Sequence, residues 1–320
     1  MNAPDLDPTA ARSGACLLID GGTGTELRRR GVRLDPVAWS GPAALTHFDV
    51  LVDIHADYID AGADVVTANT FATSRFVLEA AGLGEELVAI NRASVAAAKQ
   101  ARERAGRDVA IAGSISCFPP AFDVARYPPP RDERAGYEEL ASLLAELGVD
   151  LLVLEMMEDE THARRACDAV RAVGLPFWLG VSARRRVDGA LVAYDFPDTA
   201  FDDVLAALLD YSPAVVNVMH TPVDDVSAAL DAVRLRWTCA IGAYPEIADE
   251  DAAGRPREPL TPAQLAARAE DWLRAGVRVL GGCCGTEPRH VRALRALLER
   301  HSNGNGFQPR DQSSVKKPTA

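Results

Sequence analysis

Short apolar runs recur along the chain, and each is followed by a longer stretch whose apolar residues return every three to four positions. The runs predict strands over 15–20, 64–68, 109–114, 150–155, 177–182, 214–219, 238–243 and 278–281. The stretches between them, rich in Ala, Leu, Arg and Glu, predict helices over 48–61, 85–105, 137–147, 161–173, 199–209, 223–233 and 262–275. A further helix, 288–300, follows the last strand. Several helices end in a glycine suited to a left-handed cap, at Ala61-Gly62, Leu147-Gly148 and Ala275-Gly276. Strand and helix thus alternate eight times, which predicts an α/β chain folded as a single-domain (β/α)8 TIM barrel over 15–301. An open sheet with a second domain is the rival topology.

Residues 1–14 and 302–320 are polar and aperiodic, so both ends are expected to be disordered. A Pro-rich insertion, 117–134, follows the third strand and reads as a semi-rigid loop over one end of the barrel. It is either a surface excursion or a lid that shapes a pocket.

Composition narrows the partners. The 320 residues are 48% hydrophobic, ample for a large core, and carry a net charge of −12. Lysine occurs only at Lys99, Lys316 and Lys317, and the arginines are scattered, so phosphate neutralisation on a nucleic acid is not expected. A small neutral or zwitterionic ligand fits better. No apolar run approaches bilayer length and the N-terminus lacks the features of a signal peptide, which predicts a soluble, cytoplasmic protein with no membrane partner. Six cysteines are too sparse for a disulfide framework; in a reducing compartment they are small buried residues, metal ligands or nucleophiles. A homo-oligomer is left open.

In a parallel barrel the C-terminal strand ends share one rim, where active sites of this fold sit. Unusual polar residues gather at those ends: Asp20 closing the first strand, Thr67 and Asn69 at the second, Glu155 closing the fourth, His220 after the sixth, and Cys283 with Cys284 after the eighth. The strongest local signal is VLGGCCGT, 279–286. Adjacent side chains of an extended strand point to opposite faces, so both thiols can meet one metal only where the backbone bends, as Gly281, Gly282 and Gly285 allow. A buried Cys pair or a vicinal disulfide are the plainer explanations. Catalytic zinc typically has three protein ligands and an open position, and His220 is the nearest candidate for the third.

Together these residues resemble the homocysteine S-methyltransferases, from about 17 to 298. The marks are IDGGTGTELRRRG (19–31), AGADVVTANTF (61–71), LVLEMMED (152–159), AYPE (243–246) and GGCCGT (281–286). The resemblance implies a zinc-dependent barrel that transfers a methyl group to the sulfur of homocysteine, giving methionine. One departure concerns the metal. The family pattern after strand six is GVNC, whose Cys is the first zinc ligand. Matching backward from Thr221-Pro222 places His220 there, whereas matching forward through Val216-Asn217 places Val218 there and leaves no ligand. The first match is preferred because imidazole is an ordinary zinc ligand, giving a His220, Cys283, Cys284 set.

Thiolates, not thiols, attack carbon near neutral pH, and zinc coordination deprotonates a thiol. The expected reaction is therefore in-line attack of the homocysteine sulfur on the methyl of a cationic sulfonium or ammonium donor, with S-methylmethionine ahead of S-adenosylmethionine and betaine. The resemblance implies that Asp20 and Glu155 receive the substrate ammonium; capping and ion pairing are their plainer roles. Backbone amides from Gly21 to Thr23, with Thr67 and Asn69, are expected near its carboxylate. The glycines at 21–24 fail as a dinucleotide fingerprint, because Leu27 stands where the third glycine belongs. Lys99 on a helix excludes a barrel Schiff base. Another zinc-assisted reaction, such as hydrolysis, or a non-catalytic homologue with a disabled metal site are the alternatives.

Overall fold

A computed structural model describes residues 16–247 and 258–303. Eight parallel strands hydrogen-bond in the order β1 (Leu17–Leu18), β10 (Val279–Leu280), β9 (Ala240–Glu246), β8 (Val215–Pro222), β5 (Phe177–Val181), β4 (Leu151–Met157), β3 (Ala110–Ser116), β2 (Val65–Ala68). A parallel bridge from Ile19 to Val65 closes the ring, reinforced by the Asp64 amide donating to Leu18 at 2.7 Å. The chain is a (β/α)8 barrel. Helices over Phe48–Asp60, Leu87–Ala105, Pro130–Glu146, Glu160–Val173, Phe201–Leu208, Val226–Arg236, Pro262–Arg274 and Pro288–Asn303 surround it.

Alternation along each strand sorts its side chains between two cores. In β8, Val216 and Val218 face outward into the large apolar layer that holds Leu205, Val226 and Leu230 of the helices. Val215 and Met219 face inward, where Leu151, Val153 and Trp178 fill the barrel. Trp178 is fully buried, so the interior is a packed core beneath the rim and not a channel.

Several boundaries differ from the sequence expectation. Strand β8 runs to Pro222 and β4 to Met157, so His220 and Glu155 lie within strands and not at or beyond their ends. Thr67 belongs to β2, as the expected strand over 64–68 requires. The helix expected at 137–147 begins at Pro130, a first-turn position where the missing proline N–H has no intrahelical partner to lose, so the Pro-rich loop ends at 129. Three short helices, Thr23–Arg29, Ala43–Thr46 and Arg75–Ala80, were not anticipated. Nor was the antiparallel hairpin of β6 (Ala183–Arg185) and β7 (Leu191–Ala193). Gly62, Gly148 and Gly276 take the expected positive φ, at 107°, 72° and 91°. The final helix reaches Asn303, two residues into the stretch read as a tail; the expectations for 1–14 and 304–320 lie outside the described residues. No helix among the described residues is long and apolar enough to cross a membrane.

Candidate active site

Two strand irregularities aim the central side chains. Between Met219↔Tyr244 and Pro222↔Glu246, β8 spends three residues where β9 spends two, and His220 takes a φ of +46°. Strict alternation would turn residue 220 outward after the inward Met219; the extra residue instead puts both on the cavity side. The same device occurs in β4, where pairs Leu154↔Leu179 and Met157↔Val181 flank an extra residue and Met156 has a φ of +57°. Glu155 and Met156 consequently both line the cavity.

The cysteines reach the same place through the loop after β10. Of the three glycines expected to free this loop, only Gly285 has a positive φ, +80°. Gly282 serves close approach: a Cβ there would lie 2.1 Å from the Thr286 hydroxyl. The Cys283 amide donates to the Pro245 carbonyl at 2.7 Å, tying the loop to β9.

His220, Cys283 and Cys284 converge, with one ligand atom from each lying within 4.8 Å of the others. The Cys283 sulfur stands 3.5 Å from His220 Nδ1 and 4.0 Å from the Cys284 sulfur. Zn–S bonds of about 2.3 Å and Zn–N bonds of about 2.0–2.1 Å in a tetrahedron require S···N and S···S edges of about 3.5 and 3.8 Å. The donor set therefore fits a tetrahedral metal with a fourth position left over. Cys283 and Cys284 are not joined in a vicinal disulfide, since their sulfurs stand 4.0 Å apart. Val218, the competing position, packs in the outer layer away from the thiols.

Electrostatics mark this wall of the cavity. Burial pulls His220 toward neutrality, but the Cys284 sulfur, Glu246 and Glu158 outweigh it and push its pKa up to about 10. The hydrogen bond to Cys284, together with burial, also pushes the Cys283 thiol up. A metal ion held by these residues would relieve both by taking the place of the protons.

Asp20 and Glu155 occupy an adjoining wall. Burial raises Asp20 to about 8 against two hydrogen bonds from Thr67, and raises Glu155 to about 7 against one from the Ser114 hydroxyl. Each carboxylate is costly to ionise in the absence of a cation. Thr67 and Asn69, expected near a substrate carboxylate, line the cavity and also hold neighbouring groups: Thr67 holds Asp20, and Asn69 exchanges hydrogen bonds with Ser40 at 2.7 and 2.8 Å. Gly21 lines the cavity, while the Gly22 amide donates to Thr286.

The cavity encloses about 500 Å³, and no Lys or Arg is among the described residues lining it. The Pro-rich loop forms one wall through Phe118, Phe122 and Tyr127, which favours a lid over a surface excursion. Trp39 meets Phe122 edge-on at 5.6 Å, and Phe118 meets Phe122 at 4.2 Å. Tyr127 stacks on His162 at 3.5 Å, and Glu133 accepts from His162 Nδ1 at 2.8 Å, which clamps the loop to the helix behind it.

Sequence reasoning missed Glu158 and Glu246, both buried carboxylates near His220, and Tyr194, whose hydroxyl donates to Glu246 at 3.0 Å. Glu246 ends β9 at the same rim, so the criterion that selected Asp20 and Glu155 selects it too.

Comparison with known proteins agrees with this geometry. The family described as homocysteine S-methyltransferase matches residues 17–298. Homocysteine S-methyltransferase 1 of Zea mays is 27% identical over 92% of this chain and 98% of its own length. Homocysteine S-methyltransferase 2 of Arabidopsis thaliana is 25% identical over 91% and 96%. Among solved structures, the homocysteine methyltransferase MmuM of Escherichia coli in its metallated form superposes with a TM-score of 0.73 at 24% identity, covering 89% of this chain and 99% of that one.

Proposed function

The chain belongs to the homocysteine S-methyltransferase family, and from that premise we propose that it moves a methyl group from a small cationic donor to the thiol of homocysteine with the help of zinc, giving methionine. The observation that carries the proposal is the meeting of one imidazole and two thiols on the wall of a cavity whose described lining contains no Lys or Arg. His220, Cys283 and Cys284 would hold the metal. Bound zinc supplies a Lewis-acidic centre that favours the thiolate form of a thiol at neutral pH.

The remaining work falls to the protein's own groups. Asp20 and Glu155 hold the ammonium of homocysteine, whose arrival reverses the cost of their ionisation. Trp39, Phe118 and Phe122 present apolar and π surface to the methyls of an onium group, and the Pro-rich loop that carries the two phenylalanines shields them from water. The thiol gives up its proton to solvent as the thiolate forms; the new C–S bond then forms as the donor's onium–methyl bond breaks, and the bonding pair leaves with the neutral donor. S-methylmethionine is the first-choice donor, a small onium compound for a cavity of about 500 Å³ that has to hold homocysteine as well. Cysteines that form no disulfide among the described residues suit the reducing cytoplasm.

The test is zinc content after purification without added metal, paired with methyl transfer from S-methylmethionine to homocysteine, for wild type, His220→Ala, His220→Cys and Cys283→Ala. Both alanine variants are expected to lose zinc and about 100-fold or more of the activity, a larger loss than outer-shell changes cause. The cysteine variant is expected to keep its metal. Full activity in Cys283→Ala would overturn the metal mechanism, and full activity in His220→Ala would remove the imidazole from it.

A further inference from the structure

The two ring nitrogens of His220 face different chemistries. Nδ1 is turned to the thiols, 3.5 Å from Cys283. On the opposite side Nε2 lies 3.6 Å from Glu246 Oε2, with the carboxylate only 3% exposed. The other oxygen of that carboxylate accepts the Tyr194 hydroxyl at 3.0 Å, and the Tyr194 ring leans over the imidazole at a centroid distance of 4.7 Å. Tyr194 follows β7 of the hairpin inserted after β5, while Glu246 ends β9, so two separate elements converge on a single side chain.

We propose that Glu246, braced by Tyr194, is the positioning residue for His220: it accepts the Nε2 proton, fixes the tautomer that leaves Nδ1 free to bind metal, and holds the ring toward the thiols. The inference rests on the zinc reading above. Its physical basis is that a ligating imidazole is a good donor only when its second nitrogen has an acceptor, and a buried carboxylate is the strongest one available. The 3.6 Å separation closes to hydrogen-bond length with a movement of under about 1 Å. A thiolate ligand has no second nitrogen to satisfy. The carboxylate at 246 and the phenol at 194 are therefore partners that an imidazole at 220 requires and a cysteine there would not.

The prediction is checked by competition of Zn²⁺ against a chromophoric chelator, and by the visible absorption of the Co²⁺-substituted protein, for wild type, Glu246→Ala, Glu246→Gln, Tyr194→Phe and His220→Ala. Glu246→Ala is expected to bind zinc about 10- to 100-fold more weakly and to shift the cobalt bands, with Glu246→Gln recovering most of the affinity because its amide oxygen accepts the same proton. Tyr194→Phe keeps the ring and loses only the brace, so a smaller loss in the same direction is expected. The same scan in the His220→Cys background is expected to show no dependence on residue 246. Wild-type affinity and an unshifted cobalt spectrum in both Glu246 variants, alongside weakened binding in His220→Ala, would overturn this inference and leave the zinc reading standing. A wild type that binds neither ion would overturn both.

Discussion

Thr67 offers both its backbone amide and its hydroxyl to Asp20, at 2.7 and 3.0 Å, so a neighbouring strand fixes this carboxyl group before any ligand arrives. Those two bonds favour the ionised form, yet burial prevails and the pKa stands at about 8. The folded chain consequently keeps a proton that the unfolded chain releases near pH 4.

Asp20 should make the ligand-free protein less stable as pH rises. Its contribution is fully present below the unfolded value of 3.8 and is lost as pH climbs through about 8. In urea unfolding, the stability difference between wild type and Asp20→Asn is expected to move against the wild type from pH 5 to pH 8, and homocysteine is expected to reduce that movement. A difference independent of pH would contradict the assignment.

His55 predicts the opposite sign. It is fully buried in the helix Phe48–Asp60 with neither ring nitrogen hydrogen-bonded, and burial lowers its pKa to about 4. The stability it allows above pH 6.5 is lost as pH falls toward 4, because only the unfolded chain takes up the proton there. The full difference is on the order of 3 kcal/mol. His55→Leu is expected to flatten the acid side of the stability profile and to cost nothing at pH 7, read by calorimetry across that range.

Gly22→Ala is expected to damage a site that it does not chemically join. A Cβ at 22 would lie 2.7 Å from the Cys283 carbonyl oxygen and 2.4 Å from the Thr25 hydroxyl. The carbonyl belongs to the backbone and cannot rotate away, so the loop carrying both thiols has to shift. A destabilisation of about 1–3 kcal/mol is expected, together with weaker zinc binding. Thermal unfolding with and without zinc separates the two effects.

Releasing the lid clamp should change ligand access without touching the metal ligands. His162→Ala removes the ring on which Tyr127 stacks, an aromatic pair contributing about 0.5–1.5 kcal/mol. Proteolytic cleavage within 117–129 is expected to accelerate about 2- to 12-fold, with zinc content unchanged. Unaltered cleavage would show that Tyr127 is held by other contacts, such as its hydrogen bond to the Cys117 carbonyl.

The barrel could be read from the chain because its strands are flanked by apolar layers, so runs such as 150–155 and 214–219 stand out against the helical stretches. The convergence of His220 with Cys283 and Cys284 was also readable, through strand-end position and motif. What decides the aim of His220 was not. An extra residue in β8 and a positive φ at 220 are set by pairing with β9, and nothing in VVNVMHTP announces them. The β6–β7 hairpin had a signal that was passed over: Asp188-Gly189 lies in the five-residue connection 186–190, with Gly189 at φ +89°, a familiar hairpin feature. Thr67 and Asn69 line the cavity, and strand-end polarity does not announce that they also hold Asp20 and Ser40.

The pairing of β1 with β10 has a consequence for how the molecule is made. The first strand finds its partners at Val279 and Leu280, and two of the three sulfur and nitrogen donors follow within four residues of them. During synthesis, most of the polypeptide must wait, with an open sheet edge, until the ribosome has delivered this last segment. Ring closure and assembly of the metal-gathering loop are therefore one late event, and a nascent chain stalled before residue 279 has neither.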